Sequence, residues 1–426
     1  MVAKKKFLLL VIPWWLTARQ QLPEKKPAIQ MIVFVHGTSG AVSNASLGNL
    51  YRIMVDNVEN SYYEKAVDLI RSNPYMYKNQ PMQEYGLKPI QLHDRKPGDA
   101  AALFAYTYDT VLQETFPKHD NNLYYTYGWS GVLSESIRYK NAADFYKELL
   151  EEYTIQVEKN PDKQIKICII GYSHGGTVAL QLARAYEREQ FSEPLSIDLL
   201  ILLGTPIQKE TDHLVTSPIF KKVYHIYSRG DKIQKMDFFS FERFFSYRRF
   251  NDDKRFITPE KVVQIELKIK PARRNYQPHE KKTYVNRSPG HIELWFFGWT
   301  GGTYRKDFPL YPLPTACLIP SIIKAAQDGM PHETDLVVEV YPCAEKCMVK
   351  KRRYFKKTET KGINYTTLKK LQDVAQQETP LDFNRKDYLS HMNTAVNQAY
   401  GTISYKHATK SCRCYDFSCM EKEKRA

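Results

Sequence analysis

Six consecutive residues carry the sharpest chemistry in this chain: Gly171, Tyr172, Ser173, His174, Gly175 and Gly176. They follow an apolar run, Ile165 to Ile170, broken by Lys166 and Cys168, and precede a helix-like stretch from Thr177 to Glu187. A strand, a G-x-S-x-G turn and then a helix is the setting in which the turn presents its serine as a nucleophile, its hydroxyl pushed out above the sheet. Gly171 and Gly175 flank Ser173 where side chains would collide with the neighbouring strand and helix. The start of the helix offers backbone N–H groups and a positive dipole end where an oxyanion would form. A helix-capping serine in a glycine-rich turn is the plainer alternative, and the strand and helix on either side argue against it.

A serine nucleophile needs a base and an acid to orient that base. Asp231 ends Ser228-Arg229-Gly230-Asp231, directly after the apolar run Val223 to Tyr227, a strand-end position suited to fixing an imidazole. Asp237 is its rival, and Asp198 is a poorer one because it precedes its strand instead of following it. His291 lies in Ser288-Pro289-Gly290-His291-Ile292-Glu293-Leu294-Trp295, a Pro-Gly loop ahead of an apolar helix start. Its Nε2 would take the Ser173 proton and later protonate the leaving group. His279, in a polar stretch, is the alternative base.

Far upstream, the β-branched run Met31 to Val35 reads as a buried parallel strand and is followed by His36-Gly37-Thr38-Ser39-Gly40. Glycine there would let the backbone approach a substrate carbonyl, so the N–H of Thr38 is the first candidate oxyanion donor and that of His174 the second. His36 precedes the serine and reads as a structural histidine bracing this loop.

In this order of motifs the chain resembles the α/β-hydrolase superfamily, within it the lipase and esterase branch, over roughly residues 30 to 300. The residues that carry the resemblance are His36-Gly37, the Gly171 to Gly176 turn, Gly204-Thr205-Pro206, Asp231 and His291. The resemblance implies a mostly parallel sheet flanked by helices and a Ser173–His291–Asp231 triad. It also implies cleavage of carboxylic esters, lipid or acyl esters foremost, through an acyl-enzyme. That chemistry needs neither a metal nor an organic cofactor. Thioester or amide cleavage uses the same groups. A non-catalytic, membrane-associated binding protein on the same fold is the competing class, and the retention of serine, acid and histidine argues against it.

The elements that must position these residues are legible in outline. Leu123 to Tyr127, Leu199 to Leu203, Val223 to Tyr227, Val262 to Ile269 and Leu336 to Val340 read as strands, and Ala102 to Tyr106 as a short one. Leu47 to Val58, Tyr62 to Arg71, Ala142 to Val157, Ala316 to Ala326, Leu368 to Ala375 and Tyr388 to Ala399 have helical spacing. Alternating strands and helices predict an α/β fold with a parallel sheet. Residues 28–330 form the expected hydrolase-like domain, with 45–100 a probable insertion and 331–426 a basic, cysteine-containing C-terminal extension.

At 426 residues, 42% hydrophobic and 26% charged, the chain is globular and long enough for one large core. Its formal net charge of +15 favours anionic partners, and without a nucleic-acid motif an anionic membrane surface or simple solubility is the better expectation than a specific nucleic acid. Lys4, Lys5 and Lys6 ahead of the apolar run Phe7 to Leu16 give residues 1–25 the look of a secretory signal or membrane anchor, hence an expectation of export or membrane association. The aromatic-basic stretch Phe238 to Phe250 suits either a buried helix or a lipid-facing one. The block Lys350, Lys351, Arg352, Arg353, Lys356 and Lys357 reads as a solvated surface or an anionic-lipid contact. Cys168 reads as an inert buried thiol. Cys317, Cys343, Cys347, Cys412, Cys414 and Cys419 suit disulfides if the chain is exported and free thiols if it is not; their spacings miss the usual zinc pairs.

Overall fold

The computed structural model describes residues 27–38 and 56–381, apart from 93–94, 118–121, 190–194, 236–245, 253–255, 271–287 and 301–303, with 383, 390 and 393–394 beyond. The signal-like segment 1–25, most of Leu47 to Val58, Asp237, most of the aromatic-basic stretch, His279, most of Tyr388 to Ala399 and the last three cysteines lie outside those residues.

The strands are β1 (Ala28–Val35), β2 (Gly86–Pro89), β3 (Asn122–Gly128), β4 (Gln164–Tyr172), β5 (Leu199–Leu203), β6 (Val223–Tyr227), β7 (Val262–Ile269), β8 (Asp335–Tyr341), β9 (Lys346–Lys351) and β10 (Thr358–Lys361). The helices are α1 (Tyr62–Arg71), α2 (Ala100–Thr115), α3 (Glu135–Lys159), α4 (His174–Glu189), α5 (His291–Trp295), α6 (Ile319–Gly329) and α7 (Tyr365–Gln377). All ten strands form one sheet in the order β10-β9-β8-β7-β6-β5-β4-β1-β3-β2. The run from β8 to β3 is parallel, while β2, β9 and β10 are antiparallel additions at the edges. This is the mostly parallel α/β architecture expected from the sequence.

The parallel strands are apolar on both faces because helices cover both. On one side, Ile32, Phe34, Ile170 and Ile201 pack with α2, α5 and α6. On the other, Val33, Ile169 and Leu202 pack with α3 and α4. The chain winds from β1 to β3 on one side of β1, then returns to β4 on the other. The loops after β1 and β4 therefore diverge from a topological switch point, where open α/β sheets hold their ligands.

Three expectations need correction. Ala102 to Tyr106 is part of helix α2, not a strand. The run is too short for its period to decide, and the Asp99 side chain caps the helix by accepting from Ala102 N at 2.9 Å. The expected insertion 45–100 contributes the edge strand β2 to the main sheet, where the Pro89 ring is tolerated because an edge needs fewer donors. The first two residues of the basic block, Lys350 and Lys351, close strand β9. Residues 335–361 thus continue the main sheet, so this part of the expected extension is built into the fold.

The described end of the aromatic-basic stretch turns inward. Phe250 is fully buried, Tyr247 bridges to Ile207, and Arg249 pairs with Asp252 and, at 3.3 Å, with Asp335. Cys168, Cys317 and Cys347 are buried free thiols, and burial pushes the last two up to about 12, so they are inert at neutral pH. Among the described residues no helix is long and apolar enough to cross a membrane.

His225 on β6 is fully buried beside Tyr227 and Phe250, and burial lowers its pKa to about 4. The folded state holds this ring neutral, whereas the unfolded chain protonates it near pH 6.5, so the unfolded state binds more protons as acid is added. The stability contributed by neutral His225 is complete above about pH 6.5 and falls as pH drops toward 4. Urea unfolding of His225→Phe at pH 7 and pH 5 should show a smaller loss between the two than the parent chain. An unchanged pH slope would mean that His225 does not govern the acid limb.

Candidate active site

The turn after β4 is held in a conformation that its sequence makes costly. Ser173 has φ +52°, a left-handed backbone that non-glycine residues rarely adopt. Packing on every side enforces it. A Cβ on Gly171 would come within 2.6 Å of the Gly176 Cα, and one on Gly175 within 2.2 Å of the His36 carbonyl oxygen. One on Gly176 would meet the Thr205 hydroxyl at 2.0 Å. Glycine at these positions lets the first turn of α4 press against the ends of β1 and β5. Ser173 N–H donates to the Leu203 carbonyl at 2.9 Å, and its own carbonyl accepts from Gly176 N at 3.0 Å.

The structure brings Ser173, Asp231 and His291 together from three separate loops. His291 Nε2 lies 3.1 Å from Ser173 Oγ, and its Nδ1 lies 2.7 Å from Asp231 Oδ2. A carboxylate only accepts, so the proton between these two sits on Nδ1, which leaves Nε2 free to accept from the serine hydroxyl. Asp231 is fully buried, and its Oδ1 accepts from Gln234 N at 3.0 Å. Gln234 in turn donates to the Thr205 carbonyl at 2.7 Å. Arg248, in the aromatic-basic stretch, donates to the Asp231 carbonyl at 2.7 Å. Gly204, at φ +58°, leaves room for the Asp231–His291 contact: a Cβ there would stand 3.0 Å from Asp231 Oδ2. Asp198 is elsewhere, ahead of β5, accepting from Ile167 N and pairing with Lys221 at 2.8 Å.

The histidine loop is braced at both ends. Tyr172 donates its hydroxyl to the His291 carbonyl at 2.9 Å, and its ring stacks on Trp295. Ser228 donates to the Pro289 carbonyl at 2.6 Å. The buried Glu293 accepts from Gly290 N at 2.7 Å and pairs with Arg305, which also reaches the Ser288 carbonyl.

The loop after β1 passes beside the serine, since a Cβ on Gly37 would lie 3.0 Å from Ser173 Cβ. His36 organises it. Its Nε2 receives Arg71 Nε at 3.2 Å and Trp129 N at 3.3 Å, both donors, so its proton sits on Nδ1 and is given to the Gly37 carbonyl at 2.6 Å. In a trans peptide the C=O and the following N–H point opposite ways, so the Thr38 N–H faces away from the His36 ring. Burial, and then the Arg71 charge, hold His36 well below the usual imidazole range, so it stays a neutral brace. His174 opens α4, and its side-chain Nδ1 lies 3.3 Å from Arg138 Nη1.

Sequence reasoning missed Arg71 altogether. It is fully buried and forms no ion pair among the described residues; it donates to His36, to the carbonyls of Trp129, Gln83 and Glu84, and to the Tyr77 hydroxyl, with the Glu84 charge acting on it from nearby. Its signal was positional. Tyr63, Val67, Ile70 and Arg71 fall at i, i+4, i+7 and i+8, so Arg71 lies on the buried stripe of α1. The bracing roles of Trp129, Tyr172, Gln234 and Glu293 had no sequence signal beyond closeness to the motifs.

No family model and no curated protein matches the chain. Among solved structures, it is similar to Est1E from Butyrivibrio proteoclasticus, with 14% identity and a TM-score of 0.19, over 50% of this chain and 71% of that one. A likeness this loose carries no weight, and the site stands on its own geometry.

The strain at Ser173 yields a prediction about stability. Ser173→Gly should raise the unfolding free energy by about 1 kcal/mol, because glycine adopts positive φ without penalty, whereas Ser173→Ala keeps the strained backbone and should gain nothing. Equal urea midpoints for the two variants would show that the turn is not strained.

Proposed function

We propose that this chain is a serine hydrolase of the α/β-hydrolase type, lipase- and esterase-like, which cleaves carboxylic esters through an acyl-enzyme. The observation that carries this reading is the continuous hydrogen-bonded line from Ser173 Oγ through His291 to the buried Asp231. A serine that merely capped a helix would have no use for a histidine already oriented by a buried acid.

In the first half-reaction Ser173 Oγ attacks the ester carbonyl carbon while its proton passes to His291 Nε2. Asp231 stabilises the imidazolium and holds the ring in place. The oxyanion is received by the N–H groups of His174 and Thr38, in fixed positions that need no rearrangement as charge develops. His291 then gives its proton to the departing alkoxide, leaving Ser173 acylated. In the second half-reaction His291 takes a proton from water, whose oxygen attacks the acyl carbon; the proton returns to Ser173 as the carboxylic acid leaves. Acyl esters, lipids included, are the substrate class proposed, with thioesters and amides open to the same groups.

The test is hydrolysis of p-nitrophenyl butyrate. Ser173→Ala and His291→Ala should each lower kcat by roughly 10⁴ to 10⁶ with the fold intact, and Asp231→Asn should be crippling too, because it disturbs the imidazole tautomer. A folded Ser173→Ala variant with near-parental activity would end the enzyme assignment. Loss on changing His279 or Asp237 instead would move the base or acid while keeping the nucleophile.

A further inference from the structure

The turn between β9 and β10 combines an anchored base with an unsupported tip. At the base, Lys351 pairs with Glu333 at 2.9 Å, Arg352 lies 3.6 Å from the buried Glu266, and Lys357 pairs with the nearly buried Glu339 at 2.7 Å. Arg352 N–H also donates to the Asp335 carbonyl at 3.1 Å, and Tyr354 N–H closes the turn onto the Lys351 carbonyl at 3.0 Å. Half of the basic block is therefore structural, its charge answered by acids on β7, β8 and the preceding loop.

The tip is different. Tyr354 is 60% exposed and Phe355 97% exposed, and they stand between Arg353 and Lys356, both exposed and without an acidic partner among the described residues. Phe355 contributes nothing to the core, and the flanking charges neutralise no acid among the described residues.

We infer that this turn is a docking element for an anionic lipid bilayer, with Phe355 and Tyr354 entering the interface and Arg353 and Lys356 meeting the headgroups. Stable membrane attachment takes two signals together, such as an apolar one and a cationic one, and the tip supplies both within four residues. Aromatic rings suit the interfacial layer, and long basic side chains can stay among headgroups while their stems pass apolar surface. The shape favours lipid over single-stranded nucleic acid, which is held in grooves lined by stacking platforms. This tip is a four-residue turn with its rings exposed to solvent.

The topology gives the docking a direction. Ser173, Asp231 and the His36 loop lie at the carboxyl ends of the parallel strands. Strand β9 runs antiparallel to β8, with Lys351 opposite Leu336, so the turn that follows sits at the amino-end edge, across the sheet from the triad. A molecule docked by this tip holds its catalytic mouth away from the membrane that anchors it. The attachment is then a tether, independent of the proposed turnover.

Co-sedimentation of the full chain with phosphatidylcholine vesicles, with and without phosphatidylserine, at low and high salt tests the inference. Binding should require phosphatidylserine and weaken with salt. Phe355→Ser and the paired Arg353→Glu/Lys356→Glu change should each weaken it by about tenfold. These positions lie outside the ion-paired base, so unfolding midpoints and p-nitrophenyl ester turnover should be unchanged. Parental binding by both variants, equal binding to neutral vesicles, no binding at all, or tighter binding of single-stranded RNA that the same variants abolish would each overturn it.

Discussion

The close approach of helix α4 to the ends of β1 and β5 is the constraint on which the site depends. Three side chains are missing at Gly171, Gly175 and Gly176 so that the first turn of the helix can touch the His36 carbonyl and the Thr205 side chain. That contact forces Ser173 into positive φ, and the strain can be borne because the large apolar cores on both faces over-determine the backbone. It also couples Ser173 to the other parts of the candidate site. Thr205, against which Gly176 packs, gives its carbonyl to Gln234, and Gln234 gives its N–H to Asp231. His36, against which Gly175 packs, directs the peptide that carries the Thr38 N–H. Ser173, Asp231 and the His36 loop are thereby set by one packing event at the switch point of the sheet.

Electrostatics around this contact are arranged by burial more than by ion pairing. Arg71 is surrounded by carbonyls, a hydroxyl and a neutral imidazole, and the rings of Tyr77 and Tyr85 lie within reach of its guanidinium. The ion-paired carboxylates among the described residues lie apart from it: Asp231 behind His291, Glu293 with Arg305, and Glu266 and Glu339 under the basic edge.

Much of this was legible in the residues. Strands β5, β6 and β7 have the boundaries that their apolar runs predict, because parallel strands buried on both faces are continuous runs ended by turn residues. The Ser173 turn was legible because its glycines answer a local steric demand. Asp231 and His291 could be singled out by their strand-end loops, but their approach to Ser173 depends on sheet order, which no local pattern encodes. Ala102 to Tyr106 misled because five apolar residues fit either period, and the cap at Asp99 and the alanines decided for helix. Arg71 was invisible because an arginine on a helix reads as solvated unless its place on the apolar stripe is counted. The basic block hid two populations, since sequence alone does not show which cations have acids beneath them.

The central proposal is that Ser173 is a nucleophile poised by His291. Labelling of the folded protein with a fluorophosphonate, followed by mapping of the adduct, tests this most directly. A single adduct on Ser173 is expected, formed far more slowly in His291→Ala because the hydroxyl has lost its base. No adduct on the folded parent chain, or an adduct on another residue, would contradict it.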